Sequence, residues 1–392
     1  MIVLMIEDQA FMGRALELAA LALGRTSPNP VVGSVITQGG RIVGEGYHQK
    51  AGTPHAEVHA LRQAGEAARG GTLYVTLEPC NHHGRTPPCT EAIIAAGVTR
   101  VVAAVPDPNP QVAGTGFARL REAGIEVEVG VMADAATAIN QSFFTWVTRK
   151  RPWVLLKWAM TADGKIAAAS GDSRWVSGAA ARGKVHEWRQ RLDAILVGIG
   201  TVLADDPQLT VRLSERADSN DGPVEAAGKA SLRRNPLRVI VDSAARTPVT
   251  AKVLSPEAKT IIAVTEAAPG ERVSALEQAG ASVLSCPADV AGRVDLTYLL
   301  NRLACDGVTS LLVEGGACVH GAFLDANLAD QVAVFLAPKI VGGEGAPSPV
   351  GGTGAALMAG ARPLQKCAMT PVGDDWLLEG VLQEVRPCLP ES

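Results

Sequence analysis

Two α/β domains are what this sequence predicts, on three observations. Strand-like runs alternate with helical patterns in both halves, the composition is aliphatic, and the pattern breaks near residues 145–152. Of 392 residues, 47% are hydrophobic but only 4% are aromatic. Cores must then be assembled from Ala, Val, Leu and Ile, as in sheets covered by helices. A chain of this length exceeds one ordinary core. The expected domains are residues 1–148 and 149–392.

The elements follow in order. Residues 8–24 read as an amphipathic helix, with Phe11, Ala15, Leu18 and Ala22 at helical spacing and Asp8 as its cap. Strands are expected at 31–37 and 41–46. A helix should start near 54, with Thr53 as cap and Pro54 at the first helical position. Strand 72–77 feeds a cysteine-containing loop, and a helix near 88–96 precedes strand 100–105. The charged, proline-ended run Thr148-Arg149-Lys150-Arg151-Pro152 reads as a linker. Strands then recur at 153–158, 194–198, 237–241, 260–264, 310–313 and 331–336, with helical patterns between several of them. Residues 214–235, polar and rich in Ala and Gly, read as a mobile surface insertion. The Gly- and Pro-rich run 342–354 reads as loop.

Charge and cysteine usage exclude several classes. With 36 basic and 40 acidic residues the net charge is −4, so no broad basic surface for a nucleic acid is expected. The N-terminus carries Glu7, Asp8, Arg14 and Glu17 and lacks the basic start and clean apolar run of a signal peptide. No uninterrupted apolar stretch is long enough to span a bilayer. Seven scattered cysteines, an odd number, fit a reducing cytoplasm with thiols free or metal-bound.

The chemistry-bearing residues of the first half are His55, Glu57, Cys80 and Cys89. One imidazole and two thiolates supply three ligands for a tetrahedral zinc ion and leave the fourth position to water, as in a catalytic site. Glu57 stands two residues past the histidine, where a carboxylate can shuttle protons. That combination points to hydrolytic deamination. Eight residues separate the cysteines, against two in the common deaminase pattern. His59, four residues after His55, reads as a packed or hydrogen-bonded histidine. His82 is assigned a substrate contact and His83 no role.

These residues resemble the bifunctional riboflavin-biosynthesis family, in which a pyrimidine deaminase is fused to a reductase. The resemblance rests on Thr26-Ser27-Pro28-Asn29-Pro30-Val31-Val32-Gly33, Gly46-Tyr47-His48, Gly52-Thr53-Pro54-His55-Ala56-Glu57, the long cysteine loop ending in Thr86-Pro87-Pro88-Cys89, Asp107-Pro108-Asn109-Pro110 and Gly114-Thr115-Gly116. It implies a three-layer cytidine-deaminase-like α/β domain in which His55, Cys80 and Cys89 bind zinc and Glu57 is the proton donor. Asn29 and His48 would line the substrate pocket. The implied substrate is a phosphoribosylated diaminopyrimidinone.

In the second half, Gly198 and Gly200 follow a strand, but Leu203 stands where a dinucleotide fingerprint has its third glycine. Val313-Glu314-Gly315-Gly316 is a strand-to-helix turn that lets backbone amides approach a phosphate. Lys157, Asp163-Gly164-Lys165, Ser173-Arg174-Trp175 and the 193–212 block resemble the reductase of the same family. That resemblance implies a dihydrofolate-reductase-like α/β fold using NADPH. It assigns Ala159, Trp175, Thr201, Asp205 and Ser243 to the cofactor, with the stretch Gly316, Ala317, Cys318, Val319, His320, Gly321 and Ala322. It assigns Ser173, Arg189, Leu209, Arg212 and Glu314 to the substrate, since guanidinium groups hold phosphate in a fork. Arg246 is a further candidate, for the 2′-phosphate of NADPH.

The expectation is therefore an enzyme of riboflavin biosynthesis with one zinc ion and NADPH. Its partners would be small phosphoribosylated pyrimidines and further copies of itself, with no nucleic acid and no membrane. Two rivals are a zinc nucleobase deaminase with a non-catalytic second half and a non-enzymatic zinc-stabilised binding module.

Overall fold

The computed structural model describes residues 2–82, 87–110, 112–212 and 234–386. His83 and, up to residue 233, the insertion expected over 214–235 lie outside the described residues. Two compact units form. One holds the chain up to Arg151 together with Val385 of the C-terminal segment, the other Pro152–Glu384.

The first unit runs α1 (Ile2–Ala20), β1 (Gly33–Gln38), β2 (Arg41–Tyr47), α2 (Ala56–Ala64), β3 (Thr72–Val75), α3 (Cys89–Ala96), β4 (Arg100–Ala103), α4 (Thr115–Glu122), β5 (Glu126–Val129), α5 (Ala133–Ile139) and α6 (Gln141–Arg149). Its sheet has the order β2-β1-β3-β4-β5. β1 is antiparallel to both neighbours, while β3, β4 and β5 are parallel. Successive residues of a strand face opposite sides, and both sides of this sheet are covered. Val35, Tyr74 and Val102 pack with Met12, Ala15 and Leu18 of α1. Ile36, Leu73, Val75 and Val101 pack with Ala60 of α2, Ile93 of α3 and Phe117 of α4. The result is a three-layer α/β domain.

Three details depart from expectation. α1 begins at Ile2, not at residue 8, and Asp8 is buried within it rather than capping it. Arg100 donates to both Asp8 carboxylate oxygens at 2.8 and 2.9 Å, and the Tyr74 hydroxyl donates at 2.8 Å. A buried carboxylate needs such partners. Asp8 thereby ties α1 to β3 and β4, and the Arg100 bonds hold its carboxyl below the ordinary range. Secondly, α2 starts at Ala56 with His55 as its extended N-cap, and Thr53 Oγ1 donates to the Lys50 carbonyl instead of capping the helix. Thirdly, α6 continues to Arg149, through the first residues of the expected linker. Gln141 of that helix exchanges two hydrogen bonds with the Val385 backbone, at 3.1 and 3.3 Å. Val385 therefore packs with the first unit although it lies far beyond residue 149.

The second unit continues with β6 (Trp153–Thr161), α7 (Ala179–Arg191), β7 (Ala194–Gly198), α8 (Ile199–Asp205), β8 (Leu237–Val241), β9 (Thr260–Thr265), α9 (Gly270–Gln278), β10 (Ser282–Cys286), α10 (Leu296–Cys305), β11 (Ser310–Val313), α11 (Ala317–Asp325), β12 (Gln331–Ala337), β13 (Gln365–Val372) and β14 (Asp375–Val381). Nine strands take the order β10-β9-β8-β7-β11-β6-β12-β14-β13. The first seven in that order are parallel, and β14 and β13 are antiparallel additions at one end. β7 and β11 are buried along their whole length, as central strands covered on both faces must be. One face packs against Val185 and Trp188 of α7. The other packs against Leu299, Leu300 and Leu303 of α10 and Phe323 of α11. The 342–354 run contains neither helix nor strand.

Ligands of parallel sheets sit beyond the carboxyl ends of the strands. Here that edge carries Gly198, Ser243 and Glu314. Val313 lies opposite Leu156 in the β11–β6 register, so the next residues, Glu314 and Lys157, emerge side by side. Arg238 of β8 is fully buried. Its guanidinium donates to the carbonyls of Gln208 and Lys252, at 3.3 and 3.4 Å, and to those of Ser255 and Ala258. It anchors the segment that carries Leu209 and Arg212.

Candidate active sites

In the first unit, two helix starts and one loop converge. His55 is the residue before α2, and Cys89 is the first residue of α3. Cys80 reaches the same point from the loop after β3, and its sulfur accepts the Cys89 backbone N–H at 3.4 Å. His55 Nδ1 stands 3.3 Å from Cys89 Sγ and 3.5 Å from Cys80 Sγ. Ligands held tetrahedrally at zinc distances stand roughly 3.5 Å apart, so this nitrogen and these two sulfurs fit a single zinc ion. The Cys89 thiol and the His55 ring lower the Cys80 thiol far below its ordinary value, and the positive ends of two helices favour thiolate there as well.

Glu57 lies in the first turn of α2 and is only 3% exposed. Burial, with Cys80 nearby, pushes its carboxyl up to about 6. His48 sits edge-on to the His55 ring, centroids 5.4 Å apart. Its Nδ1 faces the Pro54 carbonyl at 3.2 Å, and its Nε2 lies 3.2 Å from Asn29 Nδ2. The exposed Asn29 and the buried His48 thus flank the zinc ligands. His59 packs half-buried, with its Nε2 unpartnered among the described residues, so the hydrogen-bonded alternative does not apply to that nitrogen. His82 is exposed and lies outside the ligand cluster.

Sequence reasoning missed Glu78. Its carboxylate accepts the backbone N–H groups of Asp107, Gly114 and Gly116 at 2.9–3.1 Å. It ties Asp107, Gly114 and the start of α4 to the segment that follows β3. Gly116 is required there, because a Cβ would lie 2.1 Å from the Pro79 carbonyl oxygen. No local pattern marks such a carboxylate, since its partners lie 29 to 38 residues away.

In the second unit a cavity of about 2120 Å³ opens along the carboxyl edge of the sheet. Among its lining residues are Ala159, Ser173, Trp175, Thr201, Asp205, Leu209, Arg212, Ser243, Arg246 and Glu314. From the glycine turn and α11 come Gly316, Ala317, Cys318, Val319, His320 and Ala322. Gly321 is not among them. A Cβ there would come within 2.3 Å of the Gly351 carbonyl group, so this glycine serves close packing of α11 on the 351–352 loop. The His320 ring is buried, and its nitrogens face the carbonyls of Pro349 and Val313 at 2.9 and 3.4 Å.

At one end of the cavity three charges meet. Arg189 grips Glu314 through two bonds, 2.7 and 3.0 Å, and donates a third to the Thr210 carbonyl. Lys157 Nζ stands 3.8 Å from the same carboxylate. Burial lowers the Lys157 ammonium and Glu314 opposes that shift. Arg189, expected to touch substrate, lines the cavity with its guanidinium bonded to Glu314 and Thr210. His186, another residue missed from the sequence, accepts the Arg212 backbone N–H at 3.2 Å. Burial and two neighbouring arginines bring it down to about 4, so it is neutral at pH 7. Arg182 lies over the Trp175 ring at 4.5 Å, within cation–π range.

The glycine turn fits a dinucleotide. α11 starts immediately after Gly316, its first residues line the cavity, and its unpaired N–H groups suit a phosphate. A zinc deaminase joined to a dinucleotide-dependent reductase is the class of protein that these two sites and folds define. Residues 5–105 match the cytidine and deoxycytidylate deaminase zinc-binding region, and residues 152–378 match the RibD C-terminal domain. The riboflavin biosynthesis protein RibD of Aquifex aeolicus is 45% identical over 335 residues, covering 86% of this chain and 88% of that protein. A solved structure of Acinetobacter baumannii RibD superposes with a TM-score of 0.83 at 40% identity, covering 97% of this chain and all of that one. A Thermotoga maritima diaminohydroxyphosphoribosylaminopyrimidine deaminase/5-amino-6-(5-phosphoribosylamino)uracil reductase gives 0.79 at 39% identity, covering 98% and 99%. The chain belongs to the RibD family. It is a bifunctional deaminase and reductase of riboflavin biosynthesis, with a zinc-binding deaminase domain and an NADPH-type reductase domain. The reading with a non-catalytic second half is not favoured, because the reductase match covers nearly all of that half.

Proposed function

We propose that the two expected domains, 1–148 and 149–392, are the deaminase and the reductase, with the boundary moved to Arg151/Pro152 and Val385 packing with the deaminase, and that they act in sequence on one phosphoribosylated pyrimidine. The deaminase would convert 2,5-diamino-6-(5-phosphoribosylamino)pyrimidin-4(3H)-one and water to the uracil derivative and ammonia. The observation that carries this reading is the His55–Cys80–Cys89 triangle with a buried carboxylate two residues from the histidine. His55 Nδ1 and the two sulfurs would hold the zinc, which would supply the acidity that readies water for attack at neutral pH. Glu57 accepts the proton from the attacking water, then delivers protons to the ring nitrogen and the leaving amine. Asn29 and His48 form the pocket wall, and His82 reaches substrate from the cysteine loop. Exhaustive chelation should abolish ammonia release while NADPH oxidation with the deaminated substrate continues. Ammonia release that survives chelation would overturn the zinc assignment.

In the reductase the ribosyl group opens and becomes a ribityl chain. Bound NADPH would supply the hydride to the anomeric carbon. Lys157 Nζ, held beside Glu314, is placed to donate the proton that accompanies ring opening. Ser173, Arg189, Leu209, Arg212 and Glu314 hold the substrate, with Arg189 and Glu314 also bonded to each other. Ala159, Trp175, Thr201, Asp205, Ser243 and the glycine turn hold the cofactor. Arg212→Ala should raise the reductase KM for the phosphorylated substrate by about tenfold with kcat little changed, the loss of one charged hydrogen bond. An unchanged KM would remove Arg212 from the pocket.

The decisive assay incubates the chain with the diaminopyrimidinone ribotide, with and without NADPH, following ammonia and NADPH oxidation separately. Ammonia should appear without NADPH, and NADPH oxidation should require prior deamination. NADPH oxidation at full rate without ammonia would reverse the assigned order.

The chain should act in the cytoplasm. Cys305, Cys318 and Cys367 are exposed free thiols, which suits a reducing compartment, and no helix among the described residues is long and apolar enough to cross a membrane. Its net charge of −4 argues against a nucleic-acid partner. A homo-oligomer is also proposed. β13 is an edge strand exposed along nearly its whole length, which leaves a template for pairing with another copy. Light scattering after size exclusion would test it, and a monomer at assay concentration would refute it.

A further inference from the structure

We propose that Arg246, aimed by the buried Asp242, is the seat of the adenosine 2′-phosphate and sets the preference for NADPH over NADH. The proposal rests on the reductase reading above.

Sheet order supplies the placement. Along the carboxyl edge the strands run β8, β7, β11, β6. The Lys157–Glu314 pair stands at β6 and β11, while Arg246 follows β8 within the turn that begins at Asp242. Three inter-strand steps separate β6 from β8, roughly 14 Å, and the glycine turn with the start of α11 lies between them. An extended dinucleotide with its reactive ring near Lys157 and its diphosphate at the glycine turn brings its adenosine end to the β8 side. Both Ser243 and Arg246 line the cavity there.

The local chemistry suits a phosphate dianion. Asp242 is fully buried. Its Oδ2 accepts the Thr247 N–H and hydroxyl at 2.7 and 2.8 Å, while its Oδ1 has no hydrogen-bond partner among the described residues. Arg246 Nε approaches Oδ1 at 3.9 Å, and the Arg246 side chain is 55% exposed. A guanidinium engaged on its Nε side presents its two terminal nitrogens outward, the fork that matches phosphate oxygens. Arg293 lines the same wall but is paired with Asp289, Nη2 to Oδ2 at 3.1 Å. Asp289 also accepts the Ala291 and Arg293 backbone N–H groups, so its charge is compensated. Arg246 is the better ligand and Arg293 a secondary one.

The test uses the full-length chain and two kinds of readout. Calorimetric titration with adenosine 2′,5′-bisphosphate and with 5′-AMP reports the phosphate seat without any turnover. Reductase KM values for NADPH and NADH report it in the working enzyme. Wild type should bind the bisphosphate more tightly than 5′-AMP. Arg246→Ala should weaken the bisphosphate and raise KM for NADPH by about 10- to 100-fold, leaving 5′-AMP and NADH unchanged. Arg246→Lys should recover part of the loss. Arg293→Ala should shift the same ratios by a smaller factor. If Arg246→Ala alters the phosphorylated and unphosphorylated ligands equally, or neither, the seat lies elsewhere and the proposal fails while the reductase reading stands. A wild-type chain that binds neither NADPH nor NADH would overturn the reductase reading and this proposal with it.

Discussion

Glu57→Gln is expected to lower deaminase kcat by about 10²- to 10⁴-fold, the range for removing a positioned general acid–base. Glutamine keeps the size of the side chain and its hydrogen-bonding oxygen, but it cannot carry a proton between water, ring nitrogen and leaving amine. The zinc ligands are untouched, so bound zinc measured on the purified variant should stay near one ion per chain. That measurement separates a lost proton carrier from a lost metal. Reductase activity on the deaminated substrate should be unchanged, because Glu57 lies in the other compact unit. Ammonia release near the wild-type rate from a zinc-loaded variant would remove Glu57 from the reaction.

How much of this was legible in the sequence depends on whether a residue's job leaves a local trace. Ligand chemistry does, since few side chains bind zinc, although the eight residues between Cys80 and Cys89 depart from the common pattern and are accounted for only by the family resemblance. Fully buried strands do as well, which is why Ala194–Gly198 and Ser310–Val313 read directly as sheet. Asp8 misled because a helix cap and a buried anchor look alike until its partner Arg100, 92 residues on, is in place. β13 was missed because its residues are nearly all exposed and show no period-two alternation. β10 and β5 were missed for a related reason, since few of their residues are buried. Glu78 and His186 act through backbone groups of distant segments, and nothing nearby announces that. Gly321 sat inside a stretch matched by resemblance, and its close packing on Gly351 leaves no trace in the sequence.

Glu314→Gln should have the largest effect on the second activity, lowering reductase kcat by about 10²-fold or more and leaving deamination intact. Burial alone would raise the Glu314 carboxyl, but the charges of Arg189 and Lys157 overcome it and bring it to about 2, against an ordinary 4.5. Its charge in turn supports the buried Lys157 ammonium. Without it, Lys157 faces Arg189 with no counter-charge, loses its proton at lower pH and so carries the proton to be donated over a narrower range. The variant's reductase activity should therefore begin to fall at lower pH on the alkaline side than that of wild type. A stability signature accompanies this. A carboxyl depressed on folding stabilises the fold at and above its ordinary value, and that contribution is lost as pH falls from 4.5 toward 2. It is on the order of 3 kcal/mol for a buried charge with these partners. The gap in thermal stability between wild type and Glu314→Gln should thus be full at pH 6 and shrink across that acid window. A gap that is constant with pH would mean that the Glu314 charge does not hold the cluster together. An unchanged alkaline limb would mean that Lys157 is not the proton donor.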